Sequence, residues 1–179
     1  MRIRYVLGFA LAVSLLIPSG ALADSPTETF DLIMPVPNYA EAPNGDMVAV
    51  LGGGTFSVHP KSVTASGTFE HTDSAGNILG GGTWSATDLL SYQSYGCGVV
   101  FGGAIDPNFC GGAVKLRVVL TAGASQRDGI LTVFCIIGEN PPNSHDELAE
   151  EGVTLNIISM INFNQVAPGG ANIYIRTSP

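Results

Sequence analysis

The feature that most constrains the fold of this chain is a glycine-threonine-aromatic pattern that occurs three times. The copies are Gly54-Thr55-Phe56, Gly67-Thr68-Phe69 and Gly82-Thr83-Trp84, and they are spaced by 13 and 15 residues. Each interval is long enough for one β-strand and one turn. The pattern therefore predicts an antiparallel meander in this part of the chain.

Alternation along these three strands predicts one aromatic face and one hydroxyl-rich face, because successive side chains of a strand point to opposite sides. The aromatic face would carry Phe56, Val58, Phe69, His71, Trp84 and Ala86, and the other face Thr55, Ser57, His59, Thr68, Glu70, Thr72, Thr83, Ser85 and Thr87. Threonine is a good strand former for the wet side of a sheet. A flat surface that orders water or contacts sugars is the alternative interpretation.

Further strands are predicted on both sides of the meander. One covers residues 29–35, after which Pro35, Pro37 and Pro43 are expected to prevent regular pairing. The segment 88–112 is expected to be looser and to end in a glycine-rich loop. The remaining strands are predicted over residues 113–121, 130–137, 153–159 and 172–177, and a loop anchored by Phe163 over 162–170.

One short helix is predicted after Pro141 and Pro142. Ser144 and Glu147 have the spacing of a capping box, and Gly152 fits the end of the helix. Taken together, these elements predict an all-β fold, an antiparallel β-barrel or β-sandwich of about eight strands with one short helix.

The first 23 residues predict a cleaved secretory signal. Arg2 and Arg4 precede an apolar run over residues 6–17, and residues 21–23 supply the small side chains of a cleavage site. The run is too short to span a bilayer. We therefore expect cleavage after Ala23, an extended Pro- and acid-rich segment over 24–46, and a single β-domain over 47–179. The protein is expected to be secreted or periplasmic, in a bacterium, without a transmembrane segment after cleavage.

The charge of the chain disfavours polyanionic partners. The full chain has a formal net charge of −8. Without the signal, five lysines and arginines would face 15 acidic residues, a net charge of −10. A surface this acidic repels phosphate backbones and anionic lipids, so we expect no nucleic-acid partner.

Three cysteines permit one disulfide and leave one thiol. Cys97 and Cys110 both lie in glycine-rich sequence, where the backbone adapts easily to a bridge. Their pairing is the favoured prediction, and it would stabilise the fold by roughly 3 kcal/mol in the chain-entropy model. Pairing of Cys97 with Cys135, or no bridge at all, are the alternatives. Cys135 lies between apolar residues of a predicted strand and is interpreted as a buried packing residue.

Common enzyme and metal signatures are absent. The chain has no G-x-S-x-G, H-E-x-x-H, Walker or C-x-x-C motif. The glycine triplets at 52–54 and 80–82 precede strand residues and predict bulges or bends rather than phosphate loops. His59 and His71 fall on opposite faces by alternation, and the acidic residues at 146–151 suit a solvated helix face. We therefore expect no metal and no cofactor.

The remaining candidate site is the mouth of a barrel. Trp84, Tyr92, Tyr95 and Phe101 are the aromatic residues placed to line it. His71 and Glu70 are the titratable residues beside them that an enzyme would need. The sequence thus predicts a non-enzymatic domain that binds a small apolar or amphipathic ligand. An isomerase- or cyclase-type barrel enzyme and a structural or assembly subunit of the cell surface, offering residues 30–34 for pairing, are the alternatives.

Overall fold

The computed structural model describes residues 27–141, 151–166 and 169–178, and these residues form an all-β fold. The predicted signal, and the predicted helix up to residue 150, lie outside the described residues; Gly152, its expected end, begins a strand. The strands are β1 Thr29–Glu41, β2 Met47–Ser57, β3 Ser62–Thr72, β4 Ile78–Cys97, β5 Val99–Val100, β6 Gly103–Ala104, β7 Phe109–Ala122, β8 Ser125–Cys135, β9 Gly152–Ile157, β10 Ile161–Gln165 and β11 Ile173–Ser178.

Nine of the strands form one antiparallel sheet that closes on itself. Its order is β10-β9-β8-β7-β11-β1-β2-β3-β4, and β4 also pairs with β7 while β10 pairs with β1. The long β4–β7 contact runs from Thr83 opposite Thr121 to Cys97 opposite Cys110. The predicted antiparallel all-β fold and its meander are therefore confirmed. The two short strands β5 and β6 form a separate hairpin.

Two different strands pair with one edge of β7 where the sheet closes into a barrel. β11 pairs with that edge at Phe109 and Cys110, whereas β8 pairs with it from Gly112 to Ala122. One end of the barrel is therefore a ring of β1, β2, β3, β4, β7 and β11, and the other end replaces β11 with β8, β9 and β10. We call the place where β11 diverges from β8 and β9 the fork. The end that carries the turns after β1, β3, β7 and β9 is called the turn end.

The first strand is longer than predicted. Pro35 and Pro37 were expected to end its pairing, but β1 continues to Glu41. The pairing register of β1 with β2 shifts between Met34 and Asn38, so the prolines occupy an irregularity where ladder hydrogen bonds are already interrupted. The Asn38 side-chain amide donates to the Val36 carbonyl at 3.2 Å within this irregularity.

Two other elements differ from the prediction. The segment expected to be loose from residue 88 instead continues β4 to Cys97, with register shifts after Ala86, Leu89 and Ser94. These irregularities interrupt the alternation on which the prediction depended. Most of β10 lies within the loop expected at 162–170, and the expected anchor of that loop, Phe163, is buried.

Aromatic rings fill the six-stranded end of the barrel. Phe30 stacks on Phe56 with ring centroids 5.0 Å apart, and Tyr92 lies 5.1 Å from both. Tyr174 of β11 contacts the Phe56 ring edge-on at 5.6 Å. The Tyr174 hydroxyl donates to the carbonyl of Val133 at 2.7 Å, which connects this aromatic cluster to β8.

Trp84 occupies space that two glycines provide. Its side chain is 2% exposed, and its Nε1 donates to the Leu51 carbonyl at 2.8 Å. A Cβ atom on Gly52 would lie 2.5 Å from the indole ring, and one on Gly67 would lie 2.7 Å from Nε1. At the first glycine triplet, where we predicted bulges or bends, β2 and β3 pair in continuous register, whereas the register of β2 with β1 shifts beside Gly52. Gly52 and Gly67 lie so close to the Trp84 ring and to the backbone of the opposite strand that neither position has room for a Cβ atom.

We predict that Gly67→Ala destabilises the protein, because its new methyl group would also lie 1.9 Å from the Leu51 carbonyl oxygen. The free energy of unfolding should fall by at least about 2 kcal/mol. Gly80→Ala is the matched control, since nothing lies within 4 Å of its Cβ position; its effect should stay below about 1 kcal/mol. Urea denaturation followed by Trp84 fluorescence measures both, and equal effects would contradict the packing argument.

Candidate functional site

A disulfide joins Cys97 and Cys110, which confirms the favoured pairing. The two residues are directly opposite each other on β4 and β7, so adjacent strands hold their side chains together. The alternative bridge from Cys97 to Cys135 is wrong, because Cys135 is a free and buried thiol on β8. Burial raises the pKa of the Cys135 thiol to about 12, and it therefore stays protonated and donates to the Asn172 carbonyl at 3.0 Å.

The four aromatic residues expected at a barrel mouth lie in different environments. Trp84 and Tyr92 point into the barrel, and the Tyr92 hydroxyl donates to the Gly111 carbonyl at 3.1 Å. Burial raises the pKa of Tyr92 to about 12. Tyr95 is buried near the end of β4, whereas Phe101 is 72% exposed in the turn between β5 and β6. The structure thus brings Tyr92 together with Phe30, Phe56 and Tyr174, three residues that the sequence analysis did not connect with it.

The two titratable candidates on β3 also differ in their surroundings. Glu70 is exposed on the outer face of the sheet. His71 is half-buried, with its Nε2 at 3.1 Å from Asp46 Oδ2 and its ring edge-on to Phe163 at 5.4 Å. Within residues 27–141, 151–166 and 169–178, no three His, Cys, Asp or Glu side chains are grouped in a way that would hold a metal ion.

An open groove of about 540 Å³ lies at the turn end of the barrel. The turn after β1 and the β9–β10 hairpin form its walls, because β10 pairs with the end of β1 and carries this hairpin alongside the first turn. Its lining residues are Pro43, Asn44, Asn156, Ile157, Ser159, Met160, Ile161 and Asn162. None of these side chains is ionisable, so the groove itself is neutral.

Two asparagines form the polar part of the groove. Asn156 and Asn162 are directly opposite on β9 and β10, and the Asn156 amide donates to Asn162 Oδ1. An asparagine side chain has two N–H donors and one acceptor oxygen with two lone pairs. The pair therefore keeps the Asn156 oxygen as an acceptor and the Asn162 amide as a donor for a bound molecule.

Apolar side chains stand beside these amides. Met160 is 64% exposed at the tip of the β9–β10 turn, and Ile157 and Ile161 flank it as an opposed pair. Ser159 holds the turn with a φ of 63°, and the Met160 amide donates to the Ile157 carbonyl at 2.9 Å. The hairpin thus presents Met160 outward next to the amide pair, an arrangement that suits an amphipathic molecule.

The sequence analysis named no residue of this groove as a candidate for binding. The segment Asn156-Ile157-Ile158-Ser159-Met160-Ile161-Asn162 is a short apolar run with an asparagine at each end and a serine at its centre. Such a run is compatible with a hairpin that closes at Ser159. The sequence analysis divides this segment between a strand over 153–159 and a loop over 162–170, since the turn contains neither Gly nor Pro to mark a hairpin.

A second polar cluster is buried at the fork and centres on Asn172, which is 1% exposed. Its Nδ2 lies 2.8 Å from Asn38 Oδ1, 2.9 Å from the Phe134 carbonyl oxygen and 3.3 Å from the Gly152 carbonyl oxygen, and its two N–H groups are shared among these three acceptors. Its backbone N–H donates to Glu151 Oε2 at 2.8 Å. One residue before β11 therefore connects β1, β8 and the beginning of β9.

Comparison with known proteins finds no matching family model, no matching curated protein and no matching solved structure. In the part of the chain that the structure describes, no helix has the length and apolar character needed to cross a membrane. The geometry of the described residues gives two candidate sites, the neutral groove and the buried cluster at the fork.

We predict one accessible thiol per chain when the protein is denatured without a reductant, since Cys97 and Cys110 are bridged. In the native protein, Cys135 should react at least about tenfold more slowly than in denaturant, because it is buried and remains protonated. Alkylation with iodoacetamide followed by intact-mass analysis measures both values. Three reactive thiols in denaturant would refute the bridge, and equal rates would refute the burial of Cys135.

Proposed function

We propose that this protein is an exported, non-enzymatic binding domain whose ligand is a small, neutral, amphipathic molecule. The observation that carries the proposal is the groove at the turn end, where the amides of Asn156 and Asn162 lie beside the exposed Met160. Amides recognise hydroxyl or carbonyl groups of a ligand, while Met160 adapts its flexible side chain to an apolar part.

The size of the groove supports this proposal. Its volume of about 540 Å³ is within the range of roughly 300–1,000 Å³ that small-molecule sites occupy. The six-stranded end of the barrel interior, by contrast, is occupied by the rings of Phe30, Phe56, Tyr92 and Tyr174. A ligand would find accessible contacts in the groove without displacing these rings.

Two further features support export. The predicted signal at residues 1–23 has the three parts of a secretory leader. The disulfide between Cys97 and Cys110 is of the kind that persists in oxidising compartments.

The same geometry gives less support to the alternatives. An isomerase or cyclase needs a titratable group that faces its pocket, and the lining of the groove has none. An assembly subunit that pairs through residues 30–34 would need that segment exposed. In the structure Phe30, Leu32 and Met34 are buried, and their strand pairs with β2 on one side and β11 on the other.

A panel of short-chain alkyl glycosides and N-alkyl amides tests the proposal by NMR. Binding should produce saturable shifts of the side-chain amide signals of Asn44, Asn156 and Asn162. Asn162→Ala should weaken the affinity about fivefold, as expected for one lost hydrogen bond. Asn164→Ala is the matched control, because this exposed residue of β10 is not part of the groove lining.

Two outcomes would overturn the proposal. The first is the absence of saturable shifts with every member of the panel. The second is an equal loss of affinity in Asn162→Ala and Asn164→Ala, which would place the binding elsewhere on β10.

A further inference from the structure

One side chain contacts both walls of the groove, although it does not line the groove itself. His71 Nε2 lies 3.1 Å from Asp46 Oδ2, and Asp46 belongs to the turn after β1. The His71 ring also meets the ring of Phe163 edge-on, with centroids 5.4 Å apart, and Phe163 belongs to β10. His71 of β3 therefore connects the turn and the hairpin that form the groove.

The strand register places these contacts on the inner side of the sheet, behind the groove. His71 is directly opposite Val48, and Phe163 is directly opposite Leu155; both of these partners are buried. Neighbouring residues of a strand point to opposite faces. Asn162, which precedes Phe163, therefore points outward to the groove. His71 thus supports from inside the strand that displays this amide.

The turn after β1 is closed by hydrogen bonds of the Asp46 backbone. The Ala42 N–H donates to the Asp46 carbonyl at 2.8 Å, and the Asp46 N–H donates to Asn44 Oδ1 at 3.3 Å. The second bond engages the oxygen of the Asn44 side chain. The N–H groups of that side chain therefore remain for a molecule in the groove.

The hydrogen bond between His71 and Asp46 is shielded from solvent. The His71 side chain is 28% exposed and the Asp46 side chain 15%, whereas the ion pair on the outer face, Arg117 with Asp88, has side chains exposed by 46% and 59%. A carboxylate only accepts hydrogen bonds, so His71 donates from Nε2. A shielded carboxylate without a partner is costly. Without His71, the Asp46 side chain would therefore turn toward water and displace its turn.

We propose that His71 is the positioning residue of the groove. Its hydrogen bond to Asp46 holds the turn that carries Asn44, and its contact with Phe163 keeps this turn in a fixed place beside the amide of Asn162. A ligand then meets two walls that are already ordered, which favours binding. This role of His71 rests on the proposed binding function, and it extends that function to a residue that does not touch the ligand.

Hydrogen exchange of the purified protein without a ligand is the first test. In His71→Leu, protection of the Ala42 N–H should fall about fivefold, because this N–H donates to the carbonyl of Asp46. In His71→Gln, protection should stay within about twofold of wild type, since the glutamine amide supplies a donor in place of Nε2. The Leu116 N–H in the centre of β7 reports global stability, and the Ala42 value is taken relative to it.

The matched control is His59→Leu, the same substitution at an exposed residue of the turn between β2 and β3. This turn lies at the opposite end of the barrel from the groove. Protection of the Ala42 N–H should therefore be the same in His59→Leu and in the wild type.

A pair of substitutions in the turn itself gives the same test if His71→Leu fails to fold. Asp46→Ala removes the acceptor of the His71 bond and leaves β3 unchanged, whereas Asp46→Asn keeps an acceptor oxygen. Protection of the Ala42 N–H should fall in Asp46→Ala and stay within about twofold of wild type in Asp46→Asn.

Ligand affinity is the second test, measured with any alkyl glycoside or N-alkyl amide that binds the wild type. His71→Leu should weaken the affinity about fivefold, and His71→Gln should keep it within about twofold. The double variant with Asp46→Ala should bind no more weakly than His71→Leu alone, because both substitutions remove the same hydrogen bond.

The outcomes separate this role of His71 from the binding function. Unchanged Ala42 protection in His71→Leu overturns the positioning role whether or not a ligand binds. An equal loss in His71→Leu and His71→Gln also overturns it, because ring packing alone would then explain the loss. Equal affinity of His71→Leu and wild type overturns it as well. If no member of the panel binds the wild type, the proposed function fails, and the exchange data still decide whether His71 holds the turn.

Discussion

The structure depends on the pairing of one edge of β7 with two different strands, β11 and β8. β11 pairs with its first residues and β8 with the remainder, so these two strands diverge from a shared edge. Polar groups that are buried where strands diverge need hydrogen-bond partners. Asn172 and Tyr174 connect the diverging strands: the Asn172 amide donates to the carbonyls of Phe134 and Gly152, and the Tyr174 hydroxyl donates to that of Val133. The divided closure is therefore possible because polar side chains enter an otherwise apolar interior.

The same division determines how the interior is filled. Where β11 replaces three strands, the ring is narrower, and it is filled by the rings of Phe30, Phe56, Tyr92 and Tyr174. Toward the turn end, Trp84 lies across β2 and β3, which come close enough only because Gly52 and Gly67 lack side chains. Glycines therefore stand where a large ring needs space, which keeps the interior closely packed.

Much of this fold follows from the sequence, and each exception has a physical cause. The meander of β2, β3 and β4 was predictable because its glycine-threonine-aromatic copies keep a regular spacing. The continuation of β1 past Pro37, and of β4 past Ala86, was not, because register shifts interrupt the alternation at these points. The groove was missed for a related reason, since the turn at Ser159 contains neither glycine nor proline. The fork could not be predicted from the sequence because it joins Asn38 to Asn172, which are 134 positions apart in the chain.

Asparagine side chains have two different roles in this molecule, and the difference follows from whether the side chain is buried or exposed. Asn38 and Asn172 lie inside the fork, where their amides are directed at partners of the same chain and stabilise the closure. Asn156 and Asn162 lie on a solvated hairpin, where their mutual hydrogen bond leaves a donor and an acceptor directed outward. An exposed amide exchanges water for a ligand at little cost, whereas a buried amide without a partner destabilises the fold. Recognition is therefore better placed at the turn end than in the packed interior.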